Sequence, residues 1–289
     1  MTQRPRLGFI GLGLMGGAMA ERLRDDGYEL SVWNLEPGRM AGFDGAKTAP
    51  SEVAASSDIV FICVTDTAAV ESVVFGEGGL AEAGRGPSIL VDHSTAYPRE
   101  TADMAERLKA ATGADWIDAP VSGGPGFARE KRLTIMCGGE RAAFDRVEPI
   151  LASYARNITL MGPAGAGQAT KVINQAVSGV SYVLMAEILR LAETSGIDAS
   201  LVPKALSGGH ADSTMLHFAY PRMLARDFDP PASYAGNVLK DLKGVLAEGR
   251  QAGVPLPLVS AALERFADFV ASEGAEADTS AIYRLYEHG

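Results

Sequence analysis

The sequence predicts a mainly parallel α/β domain, residues 1–164, followed by an all-helical domain, residues 165–289. Three observations predict it. Short β-branched runs alternate with helix-like stretches through the first part. The first run ends in glycines at 11, 13 and 16 and turns into a helical pattern. Beyond residue 164 the strand-like runs stop, and a long apolar pattern without proline begins. Strands alternating with helices imply βαβ units and a parallel sheet.

In order, "RLGFIGLG" reads as a strand and residues 14–26 as a helix. "YELSVWN" is a second strand, with "PGRM" turning away from it, and "DIVFICV" is a buried third. "ESVVFG" begins the next helical or loop region. "SILVDHS" is a strand, "YPRETADMAERLKAAT" a helix, and "ADWIDAPVS" and "LTIMCGG" are two further strands. "ERAAFDRVEPILASYA" is a helix and "RNITLMG" a last strand. Residues 167–194 then form one long helix, apolar on most faces, stopped by Gly196. Helices are expected near 198–207, 213–225, 233–252 and 256–272, punctuated by Pro230-Pro231, Pro255 and Pro257.

The 289 residues suit one large or two medium domains, and 47% hydrophobic content supplies a real core. A net charge of -10 argues against a general nucleic-acid or anionic-membrane binder. It leaves room for an anionic metabolite in a locally positive pocket. Cys63 and Cys137, the two cysteines, sit in apolar runs and read as core thiols. With His93, His210, His217 and His288 scattered, no metal centre is expected. The start of the chain lacks the layout of a secretory signal, and no segment reads as a membrane span. A reducing cytoplasm is the expected location.

The stretch Gly11-Leu12-Gly13-Leu14-Met15-Gly16 follows a strand and opens a helix, the context a dinucleotide fingerprint requires. Gly11 permits the tight turn, Gly13 lets the backbone approach a pyrophosphate, and Gly16 lets helix and strand pack closely. At the end of the second strand Asn34 stands where an acidic residue would hold a ribose hydroxyl. Arg39 is within reach of a 2′-phosphate or of solvent, and Glu36 opposes a phosphate. NAD against NADP stays open there. "DAPVSGG", residues 118–124, ends a strand and offers the Ser122 hydroxyl and the backbone of Gly123 and Gly124 to a carboxylate. In "GAGQATKVIN", Lys171 and Asn174 share one face of the long apolar helix. A lysine there either has a purpose or snorkels at the domain edge.

The motifs "GFIGLGLMGGAMA", "DHST", "DAPVSGG", "GAGQATKVIN" and "LKDL" occur in the order seen in the β-hydroxyacid dehydrogenase family, which the chain resembles along nearly its whole length. The resemblance implies a Rossmann-type domain and a helical domain joined by the long helix. It also implies NAD or NADP as cofactor, a small carboxylate substrate, and a homodimer or homotetramer formed through the helical domains. Lys171 matches the catalytic lysine. Ser122, Gly123, Gly124 and Asn174 match residues that bind the substrate carboxylate or position that lysine. Val64 and Thr65 match a loop beside the cofactor, Thr95 a residue near the nicotinamide, and Lys240, with Asp241 beside it, a lysine that closes over the cofactor. The implied reaction interconverts a small 3-hydroxy acid and its semialdehyde. Tartronate semialdehyde (2-hydroxy-3-oxopropionate) is the first expectation and 3-hydroxyisobutyrate the alternative.

Three features depart from the family pattern. Residues 125–132 carry Phe127 and the charged run Arg129-Glu130-Lys131-Arg132, where relatives have small residues; a solvated hairpin tip or a specificity loop would account for them. The stretch from Phe228 to Lys240 has one residue more than the commoner spacing. His210 lies in a segment that borders the substrate pocket in relatives, or simply ends a helix. Imine reductases share the architecture but place Asp or Tyr where Lys171 stands, and 6-phosphogluconate dehydrogenases are longer. A non-catalytic dinucleotide-binding module is the competing class, and the joint presence of Lys171, Ser122 and Asn174 speaks against it.

Overall fold

A computed structural model describes residues 4–84 and 86–287, so His288 lies outside the described residues. The chain divides into two compact units, 1–171 and 172–289. The sequence expectation put the boundary at the glycine-rich turn before the long helix. The contacts put it inside that helix, because its first turns pack on the sheet of the first unit through Gln168 and Lys171, both buried.

The first unit is built on strands β1 (Leu7–Ile10), β2 (Leu30–Trp33), β3 (Ile59–Ile62), β4 (Ile89–Asp92), β5 (Asp115–Asp118), β6 (Val121–Ser122), β7 (Leu133–Gly138) and β8 (Ala155–Gly162). Their order is β2-β1-β3-β4-β5-β7-β6, with β8 beside β7. The first five pair in parallel, β7 runs antiparallel to β5, and β8 runs parallel to β7. β1, β3 and β4 are buried at every position, as strands covered on both faces must be.

Connecting helices are α1 (Leu14–Asp25), α2 (Pro50–Ala55), α3 (Thr67–Phe75), α4 (Pro98–Thr112), α5 (Gly124–Arg129) and α6 (Arg141–Leu151). One apolar cluster joins Phe9, Met19, Leu23, Phe61, Val91 and Tyr154; a second joins Ile10, Val60, Val74, Leu90, Leu108 and Trp116. Phe9 and Ile10 are consecutive and fall in different clusters, as alternate faces of a strand require.

Several expectations change here. "ESVVFG" ends a helix rather than beginning one: α3 starts at Thr67, where the Asp66 carboxylate accepts from the Ala69 N–H. "ADWIDAPVS" is two strands, broken at Ala119-Pro120, because β5 pairs with β4 while β6 pairs with β7. The six-residue α2 and a 3-10 run at Thr279–Tyr286 were not anticipated. Residues 124–129 form helix α5 rather than a hairpin tip. The charged run beyond Phe127 ties α5 to α1: Arg129 pairs with Glu21 at 3.7 Å and Lys131 with Asp26 at 3.1 Å. Arg132 lies over the Phe127 ring, 4.3 Å from its centroid.

Helix α7 (Ala166–Thr194) crosses the division between the units. By length and composition it would reach across a membrane, with an 18-residue window of mean hydropathy 1.4. That corrects the expectation that no segment does. In the second unit α7 buries Tyr182, Met185, Ala186 and Leu189 in a helical core. The other elements of that core are α8 (Val202–Leu206), α9 (Thr214–Ala225), α10 (Ala235–Ala252), α11 (Pro257–Glu273) and the terminal 3-10 run. Tyr220, Leu242, Phe266, Phe269, Ile282 and Tyr283 fill its centre.

Candidate active site

The five parallel strands point their carboxyl ends to one edge of the first unit. Strand order reverses direction at β1, with β2 on one side and β3 on the other. Open α/β sheets bind ligands outside the carboxyl ends at such a switch point. The glycine stretch follows β1 there, and Val64 and Thr65 follow β3.

The glycines fit a dinucleotide on steric grounds. Gly11 adopts φ +92°, and a Cβ there would lie 2.3 Å from the Cys63 carbonyl oxygen. A Cβ on Gly16 would lie 1.9 Å from the Gly11 carbonyl oxygen, whereas one on Gly13 would meet no protein atom within 4 Å. Gly13 therefore opens onto free space at the start of α1, whose N-terminus has no side-chain cap. Uncapped N–H groups beside an open backbone are what a pyrophosphate uses. Leu12 is buried, Met15 is partly buried, and Leu14 is exposed.

Asn34 is engaged within the loop. Its Oδ1 accepts from the Leu12 N–H at 2.7 Å and its Nδ2 donates to the Glu36 carbonyl oxygen at 3.1 Å. It braces the glycine turn against the end of β2. Arg39 Nε lies 2.5 Å from Glu36 Oε2, with both side chains largely exposed.

Beyond β3, the Val64 N–H donates to Ser94 Oγ at 2.9 Å, and the exposed Thr65 donates its hydroxyl to Asp66 at 3.1 Å. Beyond β4, Asp92 is buried and accepts from the Ser94 N–H at 2.8 Å. Burial pushes its pKa up to about 7, against the opposing pull of the Ser94 hydrogen bonds. His93 is buried too, and burial lowers its pKa to about 4. Its Nδ1–H faces the Ala119 carbonyl oxygen at 2.6 Å, so Nε2 is left to accept from the Tyr154 hydroxyl at 2.8 Å. His93 is thus a neutral brace between β4, β5 and α6's following turn. Thr95, the next residue but one, is partly exposed at the same edge.

Beyond β5, Asp118 caps α7. Its Oδ1 accepts from the Gly165 N–H at 2.8 Å and its Oδ2 from the Gln168 N–H at 2.9 Å. Burial raises its pKa, while these backbone donors act in the opposite direction. With the helix start fixed, Lys171 comes one turn later and is 8% exposed. Its Nζ donates to the Val121 carbonyl oxygen at 2.9 Å, which sets the ammonium beside Ser122. Ser122 and Gly124 are partly exposed, and Gly123 is exposed with φ +133°.

The first unit therefore brings together the glycine stretch, Asn34, Val64, Thr65, Thr95, Ser122 to Gly124 and Lys171 at one sheet edge. The second unit holds Asn174 and Lys240. Asn174 Nδ2 donates to Gln175 Oε1 at 2.7 Å, Gln175 Nε2 donates to Asp241, and Lys240 Nζ lies 3.8 Å from Asp241 Oδ1. His210 is exposed in the turn after α8. Among the described residues no group of His, Cys, Asp and Glu is arranged to hold a metal ion. Cys137 is buried and Cys63 partly so; both thiols are free, and burial pushes each pKa up to about 12.

Sequence reasoning did not single out Asp92, Ser94, Asp118 or Gln168. The available signal was polar side chains inside apolar strand ends, and a polar run along the start of α7 at 168, 171, 174 and 175.

Comparison with known proteins shows the family and the fold. Residues 6–162 match the NAD binding domain of 6-phosphogluconate dehydrogenase. Residues 165–286 match the NAD-binding region of NADP-dependent 3-hydroxyisobutyrate dehydrogenase. The chain is 38% identical to a 2-hydroxy-3-oxopropionate reductase of Escherichia coli, across 98% of this chain and 97% of that one. A crystal structure of a 3-hydroxyisobutyrate dehydrogenase from Salmonella typhimurium superposes with a TM-score of 0.84 at 30% identity, covering 97% of this chain and 99% of the other. A 3-hydroxyisobutyrate dehydrogenase of Mycobacterium tuberculosis, solved with L-serine, superposes with a TM-score of 0.87 at 27% identity, covering 99% and 100%.

Proposed function

This chain belongs to the β-hydroxyacid dehydrogenase family of NAD(P)-dependent oxidoreductases acting on CH–OH, and from that premise we propose that it reduces 2-hydroxy-3-oxopropionate, with Lys171 as proton donor. The observation that carries the reading is the Lys171 ammonium. It is buried, held on the Val121 carbonyl, and set beside Ser122 at the sheet edge that also carries the glycine cradle.

When bound, the nicotinamide supplies the hydride that reduces an aldehyde carbon. Gly13 and the start of α1 would hold the pyrophosphate, and Val64, Thr65 and Thr95 would stand near the nicotinamide, as the family resemblance implies. Ser122, Gly123 and Gly124 hold the substrate carboxylate. Lys171 donates a proton to the aldehyde oxygen and stabilises charge as it develops there. In the oxidative direction neutral Lys171 takes the alcohol proton. Asn174 and Lys240 enter this reading through the family resemblance.

The 38% identity to a 2-hydroxy-3-oxopropionate reductase favours that substrate over 3-hydroxyisobutyrate, whose dehydrogenases are similar at 30% and 27%. The exposed apolar residues Ile173, Val177, Leu184 and Leu191 on α7 support a homo-oligomer. Two free thiols suit a reducing cytoplasm.

The test is oxidation of NADH and NADPH against a panel of short semialdehydes. The reading expects the highest kcat/KM on 2-hydroxy-3-oxopropionate. Higher kcat/KM on the semialdehyde of 3-hydroxyisobutyrate would move the assignment to the alternative. Tight cofactor binding with no turnover on any aldehyde would replace an enzyme with a binding module.

A further inference from the structure

Gln168 is fully buried, and both ends of its amide are engaged by the backbone on either side of Thr95. Nε2 donates to the Ser94 carbonyl oxygen at 2.8 Å, and Oε1 accepts from the Ala96 N–H at 3.1 Å. The amide thus pairs with the loop as a neighbouring strand would. Its orientation is fixed, because a flipped amide would face each partner with the wrong group. α7 does not need this side chain in order to start there: Asp118 already caps the helix through the Gly165 and Gln168 N–H groups. What the side chain adds is a bridge from the helix to the segment carrying Thr95. Lys171 follows Gln168 by three residues, on the same helix face. Ser94 also accepts from the Val64 N–H, so the loop beyond β3 hangs on the same bridge.

We propose that Gln168 is a positioning residue that sets the Thr95 segment against the turn of α7 carrying Lys171, and so fixes hydride delivery relative to proton delivery. The inference rests on the reading of Lys171 as proton donor and Thr95 as a neighbour of the nicotinamide. Hydride transfer depends steeply on the approach of the reacting atoms, so a loop displaced by a fraction of its hydrogen-bond length slows chemistry without loosening the pyrophosphate. Gln168 touches neither substrate nor cofactor in this account.

Two variants test it. Gln168→Met keeps length and volume and removes both bonds. Gln168→Glu keeps the shape, and its ionised carboxylate would oppose the Ser94 carbonyl. A protonated carboxyl restores both bonds, its C=O accepting from Ala96 and its O–H donating to Ser94. For Gln168→Met, kcat falls roughly tenfold to a hundredfold with unchanged cofactor Kd. The primary isotope effect from 4-deuterated reduced cofactor rises, and the Ala96 amide exchanges with solvent faster. For Gln168→Glu, kcat relative to wild type recovers as pH is lowered, with the folded fraction constant by circular dichroism.

Wild-type kcat and isotope effect in Gln168→Met would overturn the inference. So would unchanged exchange at Ala96, a readout that needs no turnover. Lys171→Ala separates the two failures. Retained turnover there removes the proton-donor reading and this inference with it. Lost turnover there, with wild-type kinetics in Gln168→Met, removes this inference alone.

Discussion

The Lys171 ammonium donates to the Val121 carbonyl oxygen across 2.9 Å. This bond joins the first turns of α7 to the residue just before Ser122, and it aims a cation from the polar run that opens a helix apolar over most of its length. A carbonyl is a neutral acceptor, so this contact is a hydrogen bond and not an ion pair. The bond therefore orients the group proposed above as the proton donor.

Replacing Lys171 by Ala removes the proposed proton donor while leaving the glycine cradle intact. The expected loss in kcat is about 10²- to 10⁴-fold, with cofactor Kd unchanged by fluorescence titration. Lys171→Arg keeps the charge, but its planar fork cannot occupy the same point beside Val121, so it should recover little of the rate. Near-wild-type turnover in either variant would remove Lys171 from the chemistry.

Much of this arrangement was legible in the chain, and the parts that were not share a cause. The glycines at 11, 13 and 16 and the lysine at 171 announce themselves because each violates the local pattern around it: flexible residues at a strand end, a charge in an apolar helix. Strand-helix alternation was legible for the same reason, since periodicity is a property of neighbours in sequence. Gln168 and Asp118 were not, because their roles lie in partners 72 to 74 and 47 to 50 residues away. A buried Gln and a surface Gln look alike in sequence. The α5 segment was misread because Gly and Pro in "GGPGF" mark a turn in either structure. Its helix is selected by the contacts of Phe127 and Ala128 with the core and by ion pairs to α1, none of them local.

The three glycines should separate by experiment into different jobs. A Cβ at position 13 meets no protein atom within 4 Å, so Gly13→Ala should fold with an unchanged Tm. Its methyl group occupies space beside the α1 N-terminus, and the cofactor Kd should rise by on the order of tenfold, about 1.4 kcal/mol. Gly16→Ala places a methyl 1.9 Å from the Gly11 carbonyl oxygen. It should lower Tm by several degrees through overpacking, about 1–3 kcal/mol. Thermal melts without cofactor, alongside titrations of NADH and NADPH, read both effects. Equal Tm losses in the two variants would sink the distinction.

Asp92 gives the fold a pH dependence whose sign is fixed. Burial raises its folded pKa to about 7, above the unfolded value of 3.8. The folded state holds the proton more tightly, so the associated stability is present in full below pH 3.8. It is lost as pH rises towards 7 and is level above that. At about 1.4 kcal/mol for each pH unit between the two values, the change amounts to a few kcal/mol at most. Asp92→Asn cannot titrate, and its Oδ1 can still accept from Ser94. Urea midpoints of wild type should fall between about pH 5 and 7 relative to those of Asp92→Asn. Parallel midpoint curves across that window would show that Asp92 keeps an ordinary pKa.

The choice between NAD and NADP turns on the end of β2, where Asn34 is already occupied by Leu12 and by Glu36. What remains exposed is the Glu36–Arg39 pair. A 2′-phosphate arriving there meets one carboxylate and one guanidinium already engaged with it. Glu36→Gln removes the repelling charge and releases Arg39 for the phosphate, so the Kd ratio of NADPH to NADH should fall severalfold. The magnitude stays modest, because exposed charges interact by about 1 kcal/mol or less, and it should shrink further as ionic strength rises. Arg39→Ala should move the ratio the other way. An unchanged ratio in both variants would mean that the adenosine ribose does not reach this turn, and that cofactor choice is made elsewhere on the sheet edge.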